Sequence, residues 1–455
     1  MKRLAEIKPF RGLRYASGVG PLADLVTPPY DVIDAKAQDD YYRRHPYNII
    51  RLEYGKVYPG DDESNNRYTR AAADFTAWRE KGVLVPEESP ALYLYEQEFS
   101  AGGKRLVRSG MICAVKLEPY EKGVVLPHEE TLPKHKEDRL ALMRACRANF
   151  SPIFGLYADE EMTVDNLLRP RAGRSPDLDF TDENGHAHRL WVITDPAVIE
   201  QVRQAMAGSR IFIADGHHRY ETALAYSRER RQEEGNPAGP GPYDYVMMTL
   251  VNLYDPGLVV LPTHRLVRNV EGLDVEELLG KIQEHFEIEV FPLAPGYGNF
   301  YDFIKELATR GGFTGDARPG AGPLSHRHSF GLYCGSGRLY LLTLRDEGAL
   351  PRLMPAGHSA AWQGLDVSVL HHLILDRLLG IGGAERARES HLTYTREEAG
   401  ALKAVDEGEY QLAFFLNPTL VEEVTAVAAN GEKMPQKSTF FYPKLITGLV
   451  INPLF

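Results

Sequence analysis

The residues from Asp215 to Arg219 carry side chains that suit a phosphate-binding turn. Their sequence is DGHHR, so a glycine stands between a carboxylate and three groups that can donate hydrogen bonds to an anion, His217, His218 and Arg219. Gly216 permits a turn with unusual dihedral angles or a close approach of the backbone to a ligand. Arg219 could grip a phosphate through two parallel N–H donors. We therefore interpret the five residues as a phosphate-binding turn.

The elements around this turn are predicted to present it to a ligand. A short apolar run, Ile211–Ala214, precedes it and predicts a strand. One face of a following helix is predicted from four residues spaced i, i+3, i+4 and i+7, namely Tyr220, Ala223, Leu224 and Ser227. The start of a helix offers outward N–H groups and the positive end of its dipole, which favour an anion. The alternative is an ordinary strand–glycine–helix corner with surface histidines.

A second group of polar residues lies in VLPHEETLPKHKEDR, Val125–Arg139. Two prolines keep its first half from being helical, and a helix is predicted to begin near Lys134. This excludes a helical zinc pattern of two histidines and a glutamate. Carboxylates and a histidine in such a loop suit a general base or an Mg²⁺ site. We assign catalytic roles to His128, Glu129 and Glu130, against the alternative of a charged loop that leads into a surface helix.

The tail of the chain supplies a third set of polar residues. Lys437, Ser438 and Thr439 resemble the end of a Walker motif, but the preceding GxxxxG is missing, so a P-loop is rejected. We predict instead that these three residues contact the phosphate as an additional anion site. The tripeptide Thr263–Arg265 is a weaker candidate for a position beside the central turn.

Several stretches of the chain are similar to signatures of a known family. IADGHHRYETAL, at the predicted turn, resembles a signature of the family catalogued as domain of unknown function 1015. MPQKSTFFYPKLITGLV, Met434–Val450, resembles that family's C-terminal signature. The stretches KPFRGLRY and TPPYDVI, the latter Thr27–Ile33, also agree with it. The resemblance spans nearly the whole chain and implies little about activity.

The DGHHR turn is also similar, over this motif alone, to the phosphate-binding turn of the ParB/sulfiredoxin superfamily. That group includes nucleotide-hydrolysing partition proteins, sulfiredoxins, and ADP- or ATP-dependent kinases of free serine. The resemblance implies a ParB/sulfiredoxin-like fold and nucleotide chemistry. Sulfiredoxin-type chemistry is disfavoured, because it needs a cysteine in the turn where this chain has His217.

The pattern of elements predicts an α+β fold with a mixed sheet and helices. Residues 1–267 are predicted to form the ParB/sulfiredoxin-like phosphate-binding domain with an N-terminal extension, and residues 268–455 a C-terminal α+β domain. Ala91–Phe99 and Arg105–Leu117 flank Gly102-Gly103 and predict a hairpin. Tyr47–Tyr54, YNIIRLEY, predicts a strand.

Composition narrows the class of protein. The 455 residues have 43% hydrophobic and 25% charged side chains, which is ordinary for a globular protein of two or more domains. The net charge of −11 argues against an extended nucleic-acid face, because non-specific DNA binding is mostly phosphate neutralisation. Three scattered cysteines predict reduced thiols. With no signal-peptide pattern and no long apolar run, we expect a cytoplasmic protein without a membrane partner.

The function predicted from these residues is nucleotide-dependent phosphotransfer by a small-molecule kinase or a nucleotide phosphohydrolase. The turn would hold the phosphate, with His217 or His218 stabilising charge on the transferring group. ATP or ADP, Mg²⁺ and a small hydroxylated substrate are the expected ligands, and a homodimer is left open. Asp215 would repel phosphate, so it either caps the helix pointing away or acts through Mg²⁺. The alternatives are a nucleotide-binding regulatory module without turnover and a metal-dependent hydrolase.

Overall fold

The computed structural model of the chain describes residues 4–129, 133–313, 327–387 and 390–455. Helices and mixed sheets occur together, which confirms the predicted α+β class. Glu130, one of the predicted catalytic carboxylates, lies outside the described residues. None of the helices in these four ranges is both long enough and apolar enough to cross a bilayer.

The strands of the described ranges alternate with helices along the chain. In order they are β1 Ile7–Lys8, β2 Leu13–Tyr15, β3 Leu84–Pro86, β4 Leu92–Ala101, β5 Lys104–Lys116, β6 Val125–Leu126, β7 Ala148–Asn149, β8 Ile153–Tyr157, β9 Leu178–Thr181, β10 Ala187–Ile193, β11 Ile211–Asp215, β12 Tyr245–Asn252, β13 Val259–Leu261, β14 His264–Val267, β15 Phe286–Pro292, β16 Ser329–Tyr333, β17 Arg338–Leu344, β18 Leu392–Thr395, β19 Leu412–Leu416, β20 Phe440–Tyr442 and β21 Asn452–Pro453.

The α-helices of the same ranges are mostly short. In order they are α1 Leu22–Leu25, α2 Ala35–Arg44, α3 Ile50–Glu53, α4 Arg67–Glu80, α5 Pro133–Cys146, α6 Thr163–Leu168, α7 Pro196–Met206, α8 His217–Glu233, α9 Val275–Ile282, α10 Phe300–Arg310, α11 Leu350–Leu353, α12 Ala360–Gln363, α13 Asp366–Val369, α14 Gly383–Ala387, α15 Glu398–Asp406 and α16 Val421–Ala429. A π-helix, Leu370–Asp376, follows α13 directly.

The chain divides into two compact units, each assembled from segments that are distant in sequence. Unit 1 comprises Met1–Pro127, Thr131–Val259 and Pro443–Phe455, and unit 2 comprises His128–Glu130 and Val260–Tyr442. The predicted domain boundary after residue 267 therefore falls inside unit 2. The loop that carries His128 and Glu129 belongs to unit 2, although its flanking segments belong to unit 1.

A nine-stranded mixed sheet forms the centre of unit 1. Its strand order is β6-β11-β8-β12-β5-β4-β10-β9, with β1 added against β5. The hairpin of β4 and β5 confirms the one predicted around Gly102-Gly103. Every residue of β12 is buried, as are the first four residues of β11, because apolar side chains cover both faces of the sheet. Next to the turn that follows β11, the pairing of β11 with β8 shifts register between Ile213 and Asp215.

A six-stranded antiparallel sheet forms the centre of unit 2. Its strand order is β15-β17-β16-β19-β14-β18. Five consecutive buried residues make up β19, as the apolar run QLAFFLNP leads one to expect. The sheet places Arg265 on β14, between β18 and β19.

The strand predicted for Tyr47–Tyr54 is wrong, because Ile50–Glu53 forms the short helix α3. Asn48 accounts for the difference, since its side-chain oxygen accepts the Ile50 N–H over 2.9 Å and starts the turn. As a result Glu53 is buried, with 3% of its surface exposed, rather than on a solvated strand face.

Candidate functional site

The predicted phosphate-binding turn has the predicted local structure. Strand β11 ends at Asp215, Gly216 has φ +94°, and α8 begins at His217. The positive φ is one that glycine adopts without strain, which explains the residue at this position. The register shift just before the turn bends β11, as bulges next to functional sites commonly do. His217 is buried and His218 is partly exposed on the first turn of the helix.

The Asp215 carboxylate lies between two cations. Its Oδ1 accepts a hydrogen bond from Lys444 Nζ over 2.7 Å, and its Oδ2 accepts one from Arg219 Nη2 over 2.9 Å. Burial opposes ionisation of Asp215, but Lys444 and Arg219 outweigh it and hold the pKa of the carboxyl below its usual range. The three side chains together carry one net positive charge. Asp215 therefore neither caps α8 through its side chain nor points away from the cations.

Arg219 is engaged inside unit 1. Its Nη1 donates to the Pro152 carbonyl over 2.5 Å, and its side chain is 10% exposed. A cavity of about 30 Å³ lies beside it, lined among others by Glu53, Arg139 and Ser151.

A buried group of charged and polar side chains lines the same cavity as Arg219. Glu53 Oε1 accepts hydrogen bonds from Arg139 Nη1 over 3.2 Å and from Ser151 Oγ over 2.9 Å. Burial raises the pKa of Glu53, and the charges of Arg139 and Arg219 oppose that rise. The sequence did not indicate Glu53 as part of the site, because its pattern predicted an exposed strand there.

Lys444 is the functional candidate that sequence reasoning missed. Two buried side chains hold its backbone: Gln97 Nε2 donates to the Lys444 carbonyl over 3.0 Å, and Arg108 Nη2 donates to the Pro443 carbonyl over 2.6 Å. The residue lies within the family-like stretch Met434–Val450, which was the available signal. Nothing local marks it as a partner of Asp215, which is 229 residues away.

Within unit 2, the structure brings together five of the other predicted site residues. The Glu129 carboxylate accepts the Lys437 N–H. His128, which is fully buried, has its Nε2 2.9 Å from Thr439 Oγ1. The side chain of Ser438 donates to the Pro435 carbonyl. His128 and Glu129 thus lie beside the Lys437–Thr439 segment, as one group of residues within unit 2.

Arg265, on β14, belongs to this group as well. Its Nη2 donates to the Lys437 carbonyl over 3.0 Å, and its Nε lies 3.3 Å from His371 Nε2. The side chain is almost completely buried. Of the tripeptide Thr263–Arg265, Arg265 therefore touches a predicted site residue.

The alternative of a metal-dependent hydrolase requires a group of side chains that can hold a metal ion. Across residues 4–129, 133–313, 327–387 and 390–455, no three histidine, cysteine, aspartate or glutamate side chains are grouped so that they could hold a metal ion. His186 and His188 lie near a shared carboxylate, Asp182, at 3.4 Å and 3.2 Å. Both histidines are buried.

A family model described as protein of unknown function (DUF1015) matches residues 7–368 of the chain. The match covers well over half of the sequence, including the DGHHR turn. No curated protein matches the chain.

The similarity of the chain to solved structures is remote. A conserved hypothetical protein from Pyrococcus furiosus is 14% identical, with a TM-score of 0.32 over 73% of this chain and 94% of that one. A free serine kinase variant in complex with ADP is 13% identical, with a TM-score of 0.34 over 73% and 91%. C-terminally truncated SbnI from Staphylococcus aureus is 11% identical, with a TM-score of 0.33 over 74% and 85%. Because these TM-scores are below 0.5, nothing about this chain is concluded from them.

Proposed function

We propose that this chain, which belongs to the family of proteins of unknown function DUF1015, binds a nucleotide phosphate at the Asp215–Arg219 turn and transfers or hydrolyses it. The observation that carries the proposal is the meeting of Lys444 and Arg219 on one carboxylate at a strand–glycine–helix turn. Such a turn is a favourable place for a phosphate, because the helix start and the cations act on the same anion.

The two cations already hold an anion, which is the side chain of Asp215. A phosphate carries more negative charge than a carboxylate and offers more acceptor oxygens, so it would compete for Lys444. Lys444 has 14% of its side chain exposed, and Gln97 fixes its backbone by donating to its carbonyl. The partly exposed His218 would then stabilise charge on the phosphoryl group.

The donors at this turn suit the phosphates of a nucleotide, whereas Asp215 does not suit a metal ion. ATP or ADP would supply the phosphoryl group, and the helix start, Lys444 and His218 have the donors to hold its phosphates. Mg²⁺ does not fit Asp215 in this arrangement, because both carboxylate oxygens already accept hydrogen bonds from cations. The proposal therefore contains no step through a metal at Asp215.

A thermal-shift screen of ATP, ADP and AMP, each with and without Mg²⁺, tests the proposal. A ligand at a hundredfold excess over its Kd stabilises the folded state by about 2.7 kcal/mol, which raises the melting temperature by several degrees. We expect a shift with at least one nucleotide, and a much smaller one for Lys444→Met. Lys122→Met is the matched control, because Lys122 is an exposed lysine of unit 1 paired with Glu118. No shift with any nucleotide in the folded wild-type protein would contradict nucleotide binding.

A further inference from the structure

Lys437, in unit 2, has a backbone conformation that a residue with a side chain adopts only at a cost. Its φ is +57°, in the left-handed region that favours glycine. Non-glycine residues persist in that region where the surrounding structure holds them, and such positions cluster at ligand-binding sites. The groups that hold Lys437 in this conformation therefore indicate the function of the conformation.

Two charged side chains hold the two backbone groups of Lys437. The Glu129 carboxylate accepts its N–H, and Arg265 Nη2 donates to its carbonyl over 3.0 Å. Hydrogen bonds to charged groups are stronger than neutral ones, so the peptide units on both sides of the residue are fixed. The left-handed conformation is thus fixed from two different elements of unit 2.

The contacts of Arg265 are unusual for a buried guanidinium. Its other contacts are the Thr263 carbonyl, His371 Nε2 and the face of the Tyr394 ring, 5.2 Å from the guanidinium carbon. Within the described part of the chain, no carboxylate forms a hydrogen bond or an ion pair with Arg265. Burial lowers the pKa of Arg265 to about 10, which still leaves it charged at neutral pH. A buried cation of this kind is costly, and here the Lys437 carbonyl and the charge of Glu129 partly offset that cost.

The side chain of Lys437 extends outward from this fixed backbone. Lys437 is exposed, and its ammonium has no ion-pair partner among the described residues. The next two residues are also held in place. The Ser438 carbonyl accepts the Thr419 hydroxyl over 2.7 Å, and Thr439 Oγ1 lies 2.9 Å from His128 Nε2. The segment Lys437–Thr439 is therefore a fixed loop that presents a cation.

We propose that the Lys437–Thr439 loop binds a phosphate group in unit 2, and that Arg265 is a positioning residue that acts through Lys437. The exposed ammonium supplies the direct contact. The buried guanidinium and the Glu129 carboxylate together fix the backbone from which this ammonium extends. The ligand class is a phosphate group, either inorganic or carried by a small phosphomonoester. This inference goes beyond the proposed function and does not depend on the Asp215 turn.

Titration calorimetry of the full-length protein with inorganic phosphate, and separately with glycerol phosphate, tests this loop. We expect Lys437→Ala to weaken binding at one site about tenfold, the loss of one charge-assisted contact. Lys437→Arg should retain binding, and Lys403→Ala, an exposed lysine of unit 2 paired with Glu407, should leave it unchanged. Tighter binding of glycerol phosphate than of phosphate would identify the ester as the ligand source.

A double-mutant cycle separates positioning from a general structural effect. If Arg265 acts through Lys437, Arg265→Lys weakens phosphate binding in the wild type but not in Lys437→Ala. Arg265 is buried, so its substitution also disturbs packing. The same cycle is therefore run with Glu129→Ala, because Glu129 is partly exposed and is the other residue that holds the Lys437 backbone. Additive effects in both cycles, or wild-type affinity in Lys437→Ala, would overturn the inference. Lys444→Met should not change phosphate binding at the Lys437–Thr439 loop. A failure of this inference and a failure of the proposed function at the Asp215–Arg219 turn therefore give different results.

Discussion

The Asp215 carboxylate accepts hydrogen bonds from Lys444 and Arg219, and an incoming phosphate would compete with it for Lys444. Sequence alone left a conflict at this residue, because a carboxylate at a helix start repels phosphate. The structure pairs it with Lys444 and Arg219, so the three side chains remain net positive. In the proposed function Asp215 keeps the cations in place until a phosphate binds.

Asp215→Asn tests this interpretation. The substitution removes a negative charge and frees Lys444 and Arg219, so we expect the affinity for inorganic phosphate, measured by calorimetry, to rise several-fold. If Asp215 were instead needed to bind the phosphate through Mg²⁺, Asp215→Asn would weaken binding of ATP with Mg²⁺. A fall in affinity would therefore contradict the account.

Glu129→Gln tests the predicted general base. Glutamine keeps an oxygen that can accept the Lys437 N–H, so the loop should be preserved, but it cannot take a proton. If Glu129 is the general base that the sequence predicts, release of phosphate or ADP in a turnover assay falls by about a hundredfold or more, with an unchanged melting temperature. Unchanged turnover would remove Glu129 from the chemistry, and a tight nucleotide site without turnover would favour the regulatory module.

At the scale of elements, the strand–turn–helix of β11 and α8 could be predicted because its signals are local. An apolar run, a glycine and a helical spacing follow one another within residues 211–227. The partners of this element could not be predicted in the same way. Lys444 reaches it from a distant segment, and α3 was mistaken for a strand because the hydrogen bond from the Ile50 N–H to the Asn48 side chain is invisible in an apolar pattern.

Gly216→Ala tests the turn itself. An added Cβ would be strained at φ +94° and would lie 3.0 Å from the Arg219 guanidinium. Gly185→Ala is the matched control in unit 1, since its φ is +77° and nothing lies within 4 Å of an added Cβ. We expect both to lower the free energy of unfolding by about 1 kcal/mol, but only Gly216→Ala to weaken nucleotide binding. Equal nucleotide affinity in the two variants would contradict a role for the turn.

At the scale of the whole molecule, the family match and the α+β class agree with what the sequence indicated. The way in which distant segments assemble into each unit could not be predicted from the sequence. Unit 1 pairs β21 with β7, and unit 2 takes in the isolated segment His128–Glu130. Such pairings join residues hundreds of positions apart, and periodicity within a segment carries no information about its distant partners.

The unfolding free energy is expected to depend on pH through His328 in unit 2. This buried histidine lies 2.5 Å from Glu347 Oε2 and 2.9 Å from the Gly364 carbonyl. Burial opposes its protonation, but Glu347 and Asp366 outweigh burial and raise its pKa to about 9.

Because the folded pKa is raised, the stabilisation is complete below the ordinary pKa of about 6.5 and is lost as the pH rises through 9. It amounts to at most about 3 kcal/mol. Denaturant unfolding at pH 6 and pH 9.5 should show this loss, and His328→Gln should reduce the difference. An equal pH dependence in His328→Gln would exclude His328 as its source.

The central claim is that Lys444 and the Asp215–Arg219 turn bind the phosphate of a nucleotide. Calorimetric titration of ADP into the wild type, Lys444→Met and Lys122→Met tests it most directly. The account predicts one nucleotide per chain for the wild type and for Lys122→Met, and a Kd about tenfold or more higher for folded Lys444→Met. Equal affinity in Lys444→Met and the wild type would contradict it.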